Sequence, residues 1–194
     1  MPGPFRSRFL VLGIALAVAA CSTGTAVASF DPNGPCTADG RAPGAYPDLE
    51  ALIPKTYQSV APVTLDSGRN CSPANLGSLT KLGIIEVRFA GGTWSFGAER
   101  AAVLAVFRAN GLTADAQATF YEESAAAASR TRILAQTKQT IAGRQGWRID
   151  TQTSDRMQTV VVWPAAEPDT VDVVITNDLP DARIQDALDA FGGR

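Results

Sequence analysis

The chain has 194 residues, 45% of them apolar and 19% charged, which places it among globular proteins with room for one ordinary core. A net charge of −2 leaves no electrostatic footprint for DNA or RNA and argues against a polybasic membrane patch. Histidine is absent, so a Ser-His-Asp triad, a Cys-His pair and a histidine zinc site are excluded.

The N-terminus reads as a targeting segment. Arg6 and Arg8 make a short basic start, and residues 9–20 follow as an apolar run with one glycine. Twelve helical residues rise about 18 Å, too little for a hydrocarbon core of about 30 Å. Residues 1–20 are therefore expected to be a secretory signal peptide. Val18-Ala19-Ala20-Cys21 resembles the lipobox of bacterial lipoproteins. That resemblance implies a diacylglyceryl group on the Cys21 thiol and cleavage just before it. The membrane is then a partner through a lipid anchor, and the protein sits on the extracytoplasmic face. A second pattern, Ala26-Val27-Ala28, would instead release a secreted protein starting at Ser29. The lipobox is preferred because Cys21 abuts the apolar run and Ser22 to Thr25 look like the start of a tether.

Of three cysteines, Cys36 and Cys71 remain to pair once Cys21 carries lipid. Residues 21–47 are rich in Pro, Gly, Ser, Thr and Ala, and read as a tether and irregular lead-in that Cys36 pins down. The domain is expected over residues 48–194. Residues 48–53 suit one or two helical turns before Pro54. Residues 55–70 look loop-like, with at most a short strand at 63–65 and a turn at Asp66-Ser67-Gly68. Ser72-Pro73 opens a helix, Leu76, Leu79 and Leu82 recur along it, and Gly83 ends it.

Residues 84–89 alternate as a strand with Ile85, Val87 and Phe89 on one side. Gly91-Gly92 reads as a bulge or turn before residues 93–96. Residues 99–109 fit a buried strand, with helix as the alternative. Thr113 caps a helix of about fifteen residues with Ala116, Phe120, Tyr121, Ser124 and Ala128 on its inner face. An antiparallel meander follows at residues 131–141, 147–153, 157–163 and 171–176, with turns at 143–146, 154–155 and 164–169. A helix capped by Asp178 or Asp181 closes the chain, with Ile184, Ala187, Leu188 and Phe191 as its buried stripe. The expected fold is α+β: one antiparallel sheet with helices packed on it, the four-strand meander leading into the last helix.

Trp94, the helix after Thr113, the Gly143-Arg144-Gln145-Gly146-Trp147 turn and the stripe ending at Phe191 together resemble the PsbP-like α/β/α sandwich. The resemblance covers residues 93–191 and rests on order and spacing. It implies a protein that binds or assists and does not catalyse.

Candidate chemistry is thin. Ser78 and Lys81 are spaced for a serine–lysine pair, but an exposed lysine near a helix end explains Lys81 as well. Glu122 and Glu123 are adjacent on a helix and do not converge. Asp31-Pro32-Asn33-Gly34 lacks the later ligands of a calcium loop and reads as a turn. Trp94, Phe107, Phe120, Tyr121, Trp147 and Trp163 are candidate lining for an apolar cleft or a carrier cavity, with core packing as the competing reading and Trp163 placed at a rim. No metal and no cofactor is expected. The expected function is a non-enzymatic extracytoplasmic lipoprotein that binds a protein or small molecule. A hydrolase using carboxylate or Ser-Lys chemistry, or a carrier of an apolar ligand, is the alternative.

Overall fold

A computed structural model describes residues 30–141 and 143–192. The expected signal segment, Cys21 and the expected alternative cleavage site at residues 26–28 lie outside the described residues. The described chain forms one eight-stranded antiparallel sheet with helices on both faces. Strands β1 (Gly40–Ala42), β2 (Thr64–Asn70), β3 (Val87–Ser95) and β4 (Ala101–Arg108) run side by side as antiparallel neighbours. The chain then enters helix α3 (Ala114–Ala127), following the short helices α1 (Pro47–Glu50) and α2 (Pro73–Leu76) earlier in the sequence.

Helix α3 explains the topology. Its 14 residues rise about 21 Å. Four inter-strand steps of about 4.8 Å span about 19 Å, so the helix carries the chain to the far edge of the sheet. There β5 (Thr131–Ile141) starts a meander that returns through β6 (Arg144–Thr153) and β7 (Arg156–Pro164) to β8 (Thr170–Asn177), which pairs with β4. The strand order is β1-β2-β3-β4-β8-β7-β6-β5. Helix α4 (Asp181–Gly192) ends the described chain.

The pleat sends alternate side chains into two cores. One face carries Trp94, Leu104, Val161, Trp163 and Val174 under α1 and α4, where Ile184, Ala187, Leu188 and Phe191 are buried as expected. The other carries Ile149, Val160, Val162, Val173 and Ile175 under α3 and the 3-10 turn at Gly77–Leu82. Residues 99–109 resolve in favour of the strand: β4 lies between β3 and β8, and its Leu104 and Val106 are buried.

Local signals hold at several ends. Thr113 Oγ1 accepts the Ala116 N–H at 3.1 Å and caps α3. Ser72 caps α2 ahead of Pro73, and Gly83 ends the following 3-10 turn at φ 78°. Ser154 and Asp169 sit at positive φ in the meander's turns.

Other expectations are corrected. Asp66-Ser67-Gly68 is no turn but the middle of β2, and Gly91-Gly92 passes straight through β3. In both places small residues serve close packing. A Cβ on Gly92 would lie 2.9 Å from the Trp94 ring, and Ser67 Oγ accepts the Tyr46 N–H at 2.7 Å. Gly146 likewise belongs to β6, where its missing side chain admits Ile141 and Trp163. Ile85 is 78% exposed, ahead of a strand that starts at Val87. Helix α3 buries Ala114, Gln117, Ala118, Tyr121 and Ala125, a stripe rotated from the expected one. Asp178 does not cap α4; it accepts the Met157 N–H and pairs with Arg156, and α4 starts from the Pro180 carbonyl. Asp181 is its first residue.

The lead-in is locked to the sheet. Cys36 and Cys71 form a disulfide across 35 residues. The Arg69 guanidinium, buried beside it, donates to the carbonyls of Asp31, Gly34 and Pro35. Asp39 accepts the N–H groups of Cys71 and Ser72, the Ser72 hydroxyl and the Asn75 amide. Burial pushes the Asp39 carboxyl up, but these four donors prevail and hold it below its ordinary value. Reducing the disulfide, or replacing Cys36 and Cys71 by serine, is expected to remove about 3–4 kcal/mol, read as a lower urea midpoint.

Gln117 Oε1 and the Tyr121 hydroxyl are buried under the sheet without a partner of hydrogen-bonding geometry. Burial pushes the Tyr121 phenol above its ordinary value of 10.0, with the Gln117 amide one turn away offsetting a little of it. Below about pH 10 both folded and unfolded chains keep this proton; above it the unfolded chain ionises first and stability falls as pH rises. Tyr121→Phe is expected to abolish that part of the alkaline loss. At pH 7 it should leave urea stability unchanged or raised by up to about 1 kcal/mol.

Candidate binding site

The six aromatic candidates do not share a cleft. Trp94 and Trp163 lie on the α1/α4 face, each 1% exposed. Trp163 is therefore core and not rim; its ring meets Phe191 edge-on at 5.6 Å. The Trp94 indole donates to the Val60 carbonyl at 2.8 Å and pins the loop ahead of β2. Phe107, Phe120, Tyr121 and Trp147 lie on the opposite face, and all but Tyr121 are half-buried. Phe107 leans on Phe89, Phe120 on Tyr121, and Trp147 donates to Asp115 at 2.6 Å beneath Lys138.

A cleft of about 350 Å³ opens instead on the α4 side, between that helix and β5, β6 and β7. Gln139, Arg148, Asp181 and Gln185 form its polar part, and Val161 and Leu188 its apolar back. The volume lies at the small end of the range for ligand pockets, about 300–1,000 Å³.

Arg148 organises this cleft. Its Nε donates to both Asp150 oxygens at 3.1 and 3.0 Å, and its terminal nitrogen to Asp181 at 2.8 Å. The Thr159 hydroxyl adds a bond to Asp150. Burial lowers the Arg148 pKa, but the two carboxylates outweigh it and raise the guanidinium above its ordinary value. One cation between two carboxylates leaves the group with one net negative charge. It suits a neutral polar or cationic ligand head better than an anion.

The remaining candidates resolve as structure. Lys81 pairs with Glu123 at 3.2 Å across to α3, while the Ser78 hydroxyl is buried without a partner, so the two do not form a dyad. Asn33 N–H bonds back to the Asp31 carboxylate, making residues 31–34 a turn whose carbonyls face Arg69. Among the described residues, no group of three or more His, Cys, Asp or Glu side chains is placed to hold a metal.

Arg148 and Asp150 stand two apart on β6, on the side of its alternation away from Trp147 and Ile149. Their pairing was open to a sequence reading; Asp181 joins them only through the packing of α4. Comparison with protein-family models, with curated proteins and with solved structures found no match.

A double-mutant cycle separates the two ion pairs. Arg148 and Asp150 are both largely covered, with side chains 28% and 20% exposed, whereas Asp181 is 79% exposed. The Arg148→Ala/Asp150→Ala coupling is expected near 1 kcal/mol in urea unfolding and the Arg148→Ala/Asp181→Ala coupling near zero, about the range for exposed pairs.

Proposed function

We propose that this chain is an exported lipoprotein, anchored through Cys21, whose domain is a non-catalytic binding or accessory module at the outer face of a membrane. The observation that carries the reading is the Cys36–Cys71 disulfide. Such bonds persist in oxidising compartments, and pairing these two leaves Cys21 as the odd thiol beside the lipobox-like sequence. Two acyl chains on that residue meet the requirement for stable membrane attachment. The α4 cleft supports binding over catalysis, because its one lining carboxylate, Asp181, and the neighbouring Asp150 are both engaged by Arg148. Helices on both faces of one antiparallel sheet support the PsbP-like resemblance and the assisting role it implies.

Mass spectrometry of the protein extracted from membranes tests this. The expected mature N-terminus is a diacylglyceryl Cys21, and Cys21→Ser should move the protein out of the membrane fraction. A lipid-free N-terminus at Ser29 would replace anchoring by simple secretion.

A further inference from the structure

We infer that the free edge of β5 accepts an extended, acidic segment of a partner protein as an added strand, an inference that rests on the binding-module reading and names its partner. Among the described residues β5 bonds to β6 on one side and is the last strand of the sheet on the other. It is 11 residues long, against three for β1 at the opposite edge. Natural sheets blunt their edges by shortness, proline, bulges or charged side chains; the charges of β5, Arg132 and Lys138, are of one sign, which bars a like strand and admits an acidic one. β5 has no proline, and its register shift falls between Ile133 and Ala135, leaving residues 135–141 in unbroken pairing with β6. Roughly half the main-chain groups of an antiparallel strand point to each side, so about five residues of β5 offer theirs outward. Side chains 134–138 are all exposed, including Leu134 at the bulge, which is 44% exposed.

Charge selects the occupant. Between Glu123 and Asp150 the sequence holds Arg130, Arg132, Lys138, Arg144 and Arg148 and no acidic residue, in a chain whose net charge is −2. Arg130, Arg132, Lys138 and Arg144 are exposed at or beside the strand. Arg132 and Lys138 stand on opposite faces of β5, Arg132 reaching Gln152 and Lys138 lying over Trp147 on the α3 side, while Arg144, on β6, turns to the Pro164 carbonyl of β7. Lys138 has an acidic neighbour, Asp115, at 3.6 Å, but both are about half exposed or more and the pair is weak. A second copy of this strand would bring cations to cations, which disfavours self-pairing. An acidic strand gains main-chain bonds along the edge and opposite charges on either face, the recognition mode of strand addition. Gln139 of β5 also lines the α4 cleft, whose net negative charge admits an uncharged β-branched side chain of the added strand and not one of its carboxylates.

The test is selection of a random twelve-residue peptide library on the full processed protein, followed by hydrogen exchange with the selected peptides added. The expected peptides are rich in Asp, Glu and β-branched residues and protect the amides of residues 131–141. Arg132→Glu with Lys138→Glu should weaken them on the order of tenfold, and added salt should weaken them further. If that variant fails to fold, the exchange footprint on the unaltered protein still decides. Peptides that are neutral or basic, or that protect α4 or another surface, overturn the edge proposal and leave the binding-module reading standing. A library that yields no binder at any site overturns both.

Discussion

The fold depends on burying β8 on both faces at once. Seven of its eight residues are buried, among them Val171, Val173, Val174 and Ile175. A strand of this kind must lie inside the sheet with cover above and below. Cover on one side is the layer made by α3 and the 3-10 turn at Gly77–Leu82; on the other it is α4, which follows β8 directly. The meander from β5 to β8 is then the route by which the chain returns from the far edge to the centre. Connection, layer order and edge assignment are all consistent with that one strand's burial.

The lead-in obeys a different logic. Residues 30–42 bury little of their own, and a short edge strand has marginal stability alone. They are held by polar and covalent links that converge within four residues of β2 and its exit: Arg69 on the turn carbonyls, Cys71 in the disulfide, and Cys71 and Ser72 on Asp39. Phe30 extends the same lock, with its ring 5.5 Å from the Arg69 guanidinium. Breaking the bond at Cys71 therefore loosens a segment that has no large core of its own to fall back on.

Legibility in the sequence followed periodicity and failed where packing overrode residue type. The alternation of Trp147, Ile149 and Thr151 against Arg148 and Asp150 set β6, and the stripe from Ile184 to Phe191 set α4, because each has one dominant period. Gly68, Gly92 and Gly146 have the composition of turns, yet each lies inside a strand where a neighbouring backbone or an indole comes close. Ser67 reads as a turn residue and instead links Tyr46 and Glu50 to β2. The face of α3 was misplaced because alanines surround it and the core takes Gln117, a residue that polarity assigns to solvent. Of the candidate site, Arg148 and Asp150 were visible as neighbours on one side of a strand. The cleft itself needed α4 brought across β7, a long-range contact that no local spacing encodes.

The two sheet edges differ in a way that bears on orientation. β1 is short, and the disulfide and Arg69 close the lead-in around it. Nine residue-to-residue steps lead from Cys21 to Phe30, a reach of at most about 31 Å. On the proposed anchoring, that tether enters the domain at the β1 end. Seven inter-strand steps of about 4.8 Å set β5 about 34 Å across the sheet from β1. On that anchoring the tether joins the edge that the disulfide and Arg69 close, and the open, basic edge lies across the sheet from it, where its outward main-chain groups are the ones left to an incoming strand.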